Sequence, residues 1–273
     1  MKLMNVTKAI AKSFCQKIIH HREIPNYKKL VCQVDTNKSG PLSKFQLEKF
    51  NEDGFLKIEN ILSESIIKGA QQNIDDLIDD LANSLHKHGK ISNTYKGYDW
   101  TKRIIKIEEQ WEGATGLINK HKILPRGFID IYESKEILDI MVQLGLGPTI
   151  AAHPVWNLRT KMPKVSKGSH SLIPWHQDNS FWPSDTWHEK IIAAWIPLVD
   201  CNKVNGCMEF IKGGHKTGKT ARHTVGGSTV GEDSSWYTEL SEKTIEQDLL
   251  EKGKSVQEAT EVVPANKGDI IIF

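Results

Sequence analysis

The periodicity of the apolar residues changes character at Pro148, and that change limits the folds open to the chain. Upstream, Ile66, Ile67, Ala70, Ile74, Leu77, Ile78 and Leu81 recur at the 3.6-residue spacing of one helix face, with Ser63 placed to cap the first turn. A second helix is predicted over 134–144, stopped by Gly145 and the Gly147-Pro148 pair. Downstream, short apolar stretches at 155–160, 190–198, 207–211 and 269–273 alternate with clusters of Gly, Pro, Asn and Ser. That texture belongs to an antiparallel β-sandwich or barrel. Residues 51–58 read as a first strand ahead of the long helix, and helices followed by strands make the class α+β.

With 38% hydrophobic and 26% charged residues in 273, the chain is neither disordered nor collagen-like nor a small disulfide scaffold. The four cysteines (Cys15, Cys32, Cys201, Cys207) form no CxxC pair and read as reduced, intracellular thiols. No apolar run reaches the roughly 18 residues of a membrane span. Net charge is +2, but residues 1–50 carry ten basic against three acidic side chains, leaving 26 against 31 in the rest. Such a balance gives no concentrated basic face for nucleic acid. The tryptophan-rich stretch 175–187 holds no Arg or Lys, unlike a single-strand groove.

Within the basic segment, Leu3, Val6, Ile10, Phe14 and Ile18 recur at helical spacing among Lys2, Lys8, Lys12 and Lys17, with no acid before Glu23. Either a mitochondrial transit peptide or a basic amphipathic surface helix has this pattern, so localisation stands between cytoplasm and mitochondrion. The turn formers Pro25, Asn26, Asn37, Ser39, Gly40 and Pro41 make 25–50 linker-like. Residues 1–50 therefore read as a basic extension and linker ahead of a domain over 51–273.

Chemistry concentrates at Trp175-His176-Gln177-Asp178. In a strand, His176 and Asp178 project to one face with Gln177 turned away. An imidazole and a carboxylate supply two corners of the 2-His-1-carboxylate triad that holds Fe(II) on one side and leaves the opposite positions open. Any solvated strand face can carry the same pair. Five of eight tryptophans (Trp156, Trp175, Trp182, Trp187, Trp195) lie within 40 residues, as a water-excluding site or an ordinary barrel core would require.

Four blocks carry a resemblance. Trp156-Asn-Leu-Arg-Thr-Lys-Met-Pro163, Pro174-Trp-His-Gln-Asp-Asn-Ser-Phe-Trp182, Ala193-Ala-Trp-Ile-Pro-Leu-Val-Asp200 and Asn205-Gly-Cys-Met-Glu-Phe-Ile-Lys-Gly-Gly-His-Lys216 resemble, in order and spacing, the phytanoyl-CoA dioxygenase family. The likeness runs from about residue 50 to Phe273, with 51–62 similar to the family's first strand and helix start. It implies a double-stranded β-helix (jelly-roll) core with N-terminal helices packed outside. It also implies Fe(II), with 2-oxoglutarate and O2 as co-substrates, 2-oxoglutarate being decarboxylated to succinate as a small organic substrate is hydroxylated. His176 and Asp178 then stand at the first two iron-ligand positions. By the same resemblance Trp195 matches a position that lines the co-substrate pocket, and Asn157 lies on the strand that often contacts the co-substrate. A carboxylate at 178, where halogenating relatives carry a small residue, implies hydroxylation.

The family's third ligand, a histidine, follows a Gly-Asp and an apolar run, and an arginine follows one strand later. Here that run is Gly268-Asp269-Ile-Ile-Ile-Phe273, so both residues would lie past the end of this sequence. His215, in Gly213-Gly-His-Lys216, does not occupy the ligand position; His153, His170, His188 and His223 sit in polar, turn-like contexts. The chain is expected to be a C-terminally incomplete form of such an enzyme, its last strand or strands missing. The other reading is a catalytically inactive jelly-roll protein that binds a small ligand. Lys161, Lys164 and Lys167 read as candidates for an acyl-CoA phosphate or as a solvated lysine-rich loop.

Overall fold

The computed structural model describes residues 33–119, 123–147, 150, 158–162, 175–178, 190–217, 224–225, 238–239, 245–247, 249 and 253–273. Among the described residues six helices come first: α1 (Lys44–Asp53), α2 (Glu64–Lys87), α3 (Trp100–Gln110), α4 (Ala114–Asn119), α5 (Arg126–Tyr132) and α6 (Lys135–Gln143). Strand β1 (Leu56–Ile58) lies between the first two. Strands β2 (Ala194–Trp195), β3 (Met208–Ile211), β4 (Thr224–Val225) and β5 (Thr238–Glu239) follow. A short helix α7 (Val256–Ala259) then leads into β6 (Thr260–Val263), and β7 (Ile270–Ile272) comes last.

Both expected helices form. Ser63 caps α2, its Oγ accepting from the Ile66 N–H, and the apolar stripe buries Ile67, Ala70, Ile74 and Ile78. Helix α6 follows Ser134 and ends at Leu144. Helices α3, α4 and α5 pack against α2. The α5 contact is backbone to backbone: a Cβ on Gly127 would lie 2.5 Å from the Gly69 carbonyl carbon. The Gly127 N–H, orphaned at the start of α5, is satisfied by Asn73 Oδ1 at 2.7 Å. Buried Arg103 of α3 donates to Asp79 Oδ1 (2.6 Å) and to the Thr94 carbonyl (2.9 Å), fixing α3 on α2.

The first strand is shorter than residues 51–58 suggest. Ser43 and Gln46 form a reciprocal capping box that starts α1 at Lys44, and the helix runs through Asp53. It stops at Gly54, whose φ of +84° costs a glycine nothing. The linker expectation also fails for 33–50. Val34 and Leu42 are buried. Gln143 Oε1 accepts the Leu42 N–H, its Nε2 donates to the Lys38 and Leu42 carbonyls, and Asn51 brackets Val34 in the same way. Turn formers here shape a strap sealed onto α6 by an amide from 101 residues away.

All the strand pairing is antiparallel. One sheet has the order β1-β7-β2, another pairs β3 with β6, and β4 pairs with β5. In β7 the side chains alternate: Ile270 and Ile272 enter the core shared with the helices, while Ile271 joins Phe55, Val263 and Ala265 on the opposite side. Trp195, in register with Ile271, packs on that second side with Met208 and Phe210 of β3. There Phe55 and Phe210 stack at 4.4 Å. The class is α+β, with small antiparallel sheets and helices covering one face; the full jelly-roll is not traced by the described strands.

The Gly-Asp before β7 has a structural purpose. Asp269, 1% exposed, accepts from the Asn60 N–H (3.0 Å) and the Asn266 N–H (2.8 Å). The Gly268 carbonyl accepts from Ile61 and Leu62. Asp269→Ala would orphan two N–H groups, and a loss of about 1–3 kcal/mol is expected in urea unfolding; an unchanged midpoint would contradict the clamp.

His215 belongs to the same framework. Its Nε2 donates to the Asn51 carbonyl at 3.1 Å, and its ring lies where a Cβ on Gly54 would collide. Nδ1 is buried without a hydrogen-bond partner among the described residues. Burial, ahead of the opposing Asn51 bond, holds this imidazole below its ordinary value. The neutral ring is therefore the one that fits the fold. Its contribution is present above the unfolded value of about 6.5 and is lost as pH falls through the lower folded value. Unfolding at pH 7.5 and pH 5 should show a steeper acid loss for the native chain than for His215→Gln; equal losses would refute the assignment.

Candidate active site

His176 sits on irregular backbone and Asp178 has 3-10 geometry. The expected strand is absent here, yet the side chains still converge: His176 Nε2 and Asp178 Oδ1 are 3.2 Å apart. This is the contact of a direct His–Asp pair, and adjacent ligands of an octahedral ion with bonds of roughly 2.1 Å stand at a similar separation of about 3.0 Å. The carboxylate is 41% exposed and the imidazole 25%, so both keep some access to solvent. Among the described residues no group of three or more His, Cys, Asp or Glu is placed to hold a metal.

Beside the pair lies Arg159, whose guanidinium is held below its ordinary value by burial, with the Asp178 carboxylate acting in the opposite direction. Neither Arg159 nor its proximity to Asp178 follows from the HxD pattern. Of the block 156–163, the sequence singled out Asn157 and Lys161 but not Arg159. Asn157 itself lies outside the described residues, as do Trp156, Trp182, Trp187, Lys164, Lys167, His153, His170, His188 and His223. Lys161 is not at a solvated mouth. It is half-buried, its stem lying along Gly206.

Trp195 packs between the sheets, and Trp175, next to His176 in sequence, packs on Ile245, Leu249 and Ala259. Cys201 and Cys207 are free thiols, both raised mainly by burial. His215 faces Asn51 and Gly54 as described above, so it supplies no ligand to this pair. Among the described residues no helix is long and apolar enough to cross a membrane.

The Phytanoyl-CoA dioxygenase (PhyH) family model matches residues 50–273, a span that holds His176, Asp178, Arg159 and Trp195. A protein of Arabidopsis thaliana named phytanoyl-CoA dioxygenase is 26% identical over 228 residues, covering 76% of this chain and 78% of its own. The mouse protein named phytanoyl-CoA dioxygenase domain-containing protein 1 is 25% identical, covering 73% of this chain and 77% of its own. Its bovine counterpart is 28% identical, covering 70% and 72%. With the family matched along more than half its length and the His-x-Asp pair converging inside that match, the chain belongs to the phytanoyl-CoA dioxygenase family.

Proposed function

We propose that this protein is a non-haem Fe(II)- and 2-oxoglutarate-dependent dioxygenase that hydroxylates a small organic substrate. The observation that carries the reading is the 3.2 Å approach of His176 Nε2 to Asp178 Oδ1 inside the family-matched span. These two side chains would hold the iron, with a further ligand from outside the described residues. Bound Fe(II) would supply the activation of O2. The balanced reaction is R–H plus 2-oxoglutarate plus O2 giving R–OH, succinate and CO2.

The chain's own residues have separable tasks. His176 must present an unprotonated Nε2 and Asp178 an ionised carboxylate, because a ring or carboxyl that holds its proton cannot coordinate. The carboxylate fills a position that a halide would need, which favours hydroxyl transfer. The Trp195 indole, packed with Phe210 and Ile271, would wall the co-substrate from bulk water, and the Asn157 amide would contact it. No substrate follows from these residues.

In a form of the chain that carries the family's third-ligand histidine and its arginine, succinate release from 2-oxoglutarate should require Fe(II) and cease on chelation. His176→Ala and Asp178→Ala are each expected to lower it by about 100-fold or more, since removing a ligand should cost at least as much as losing a group that merely orients one. Full turnover by either variant would overturn the assignment. Binding of 2-oxoglutarate without succinate release would point to the ligand-binding alternative.

A further inference from the structure

His176 and Asp178 lie outside every described strand, so no ladder of paired backbone sets the direction of their side chains. The residue immediately before them has a seat of its own. Trp175 packs on the cluster of Ile245, Leu249 and Ala259, with Ile211 and Val256 packed against the same cluster. The three residues of the cluster are buried, and Trp175 is half-buried on top of them. Aromatic side chains dominate the energetics of such contacts, and an indole turns about only two side-chain torsions, so a seated one holds its backbone firmly.

The seat is tied down on several sides. A reciprocal capping box starts α7: Ser255 Oγ accepts from the Glu258 N–H (3.2 Å), and Glu258 Oε2 accepts from the Ser255 N–H (2.9 Å). That box sets Val256 and Ala259 on the turn that leads into β6. The Ala259 carbonyl accepts from the Lys212 N–H (2.9 Å), next to Ile211, which joins the helix end to β3. Ile245 and Leu249 stand four residues apart in helical backbone, and the Leu249 carbonyl accepts from the Lys254 N–H (3.2 Å). This cluster is separate from the core that the N-terminal helices share with β7. Through Trp175 the pair is therefore referred to α7 and the β3–β6 sheet.

We infer that Trp175 is a positioning residue for the His176–Asp178 pair. Its indole, held on Ile245, Leu249 and Ala259, fixes the start of 175–178 and with it the 3.2 Å approach of His176 Nε2 to Asp178 Oδ1. Consecutive Cα atoms stand about 3.8 Å apart, so a shift of the seated residue passes almost undiminished to its neighbour. A ligand pair needs its geometry held within about 0.5 Å by side chains that packing has locked, and the indole supplies that lock. The inference rests on the dioxygenase reading for what the pair holds, and not for how the pair is held.

The test is diethylpyrocarbonate labelling of the metal-free 273-residue chain, read at each histidine by mass spectrometry. Trp175→Ala should raise labelling of His176, whose side chain is 25% exposed, by about threefold or more; Trp175→Phe, which keeps a ring on the cluster, should stay within about twofold. His86 and His88 at the end of α2 gauge the reagent, and His215, bonded to the Asn51 carbonyl, gauges general loosening. A positioning role leaves those three unchanged. Leu249→Ala removes part of the seat without altering Trp175 or the pair, and should reproduce the rise at His176. Unchanged His176 labelling in either alanine variant overturns the inference, and a rise at His215 in both makes the role merely structural and overturns it too. In the form that carries the third-ligand histidine and the arginine, Trp175→Ala should lower Fe(II)-dependent succinate release by about tenfold or more, and excess Fe(II) should restore it. Selective labelling of His176 without succinate release by the unsubstituted form would retire the dioxygenase reading alone. Succinate release indifferent to Trp175→Ala would retire the positioning role alone.

Discussion

Burial of β7 on both faces is the constraint around which the described structure is organised. Its three isoleucines are fully buried, each removal from water being worth roughly 1.5–3 kcal/mol. Ile270 and Ile272 join the helical core through Leu56 and Ile58, their partners across β1. Ile271 belongs to the layer that includes Trp195 and Phe210. A strand that faces apolar neighbours on both sides tolerates no slip, because moving one residue would exchange every contact. The Asp269 carboxylate and the Gly268 carbonyl fix that register by tying the start of β7 to the 60–62 turn.

The helical layer acts on the site through polar contacts as well as through the core. Asn119, at the end of α4, holds Thr160 through a hydrogen bond from its Oγ1. Helix α4 is itself seated by Glu108, whose carboxylate accepts from the Gly113 and Thr115 N–H groups at 2.7 and 2.8 Å. On the opposite flank His215 binds the Asn51 carbonyl, while the Gly213 N–H bonds to Asp53. The 3-10 turn Gly214–Thr217 is thereby pinned to the end of α1. His176 and Arg159 stand on irregular backbone, while Trp195 stands on β2.

Much of the helical half was legible from the chain. Ser63 and the stripe from Ile66 to Leu81 marked α2, and Ser134 with Gly145 marked α6, because caps and a 3.6-residue period are local signals. The lesser helices were less visible. Helix α3 depends on an Asp99 cap ahead of a charged run, and α5 begins at a proline and a glycine that satisfies its N–H through Asn73. The strap over 33–42 read as linker since its partner, Gln143, is distant in sequence. In the site, His176 and Asp178 were recognisable by type and spacing, but their convergence does not come from a strand pleat.

By itself the sequence determined the α+β class, the two strongly periodic helices, the family and the identity of the candidate metal-binding pair, all carried by residue type and short-range spacing. Only the tertiary structure decided which of several exposed-looking residues are enclosed. Lys161 reads as one more solvated lysine until Gly206 receives its stem, and Asp269 opens an apolar run until the distant Asn60 N–H and the nearby Asn266 N–H converge on its carboxylate. His215 resembles a spare ligand until Asn51 and Gly54 occupy its ring. Desolvation and charge pairing depend on what arrives from remote parts of the chain, and a side chain's chemistry is set by those neighbours as much as by its own atoms.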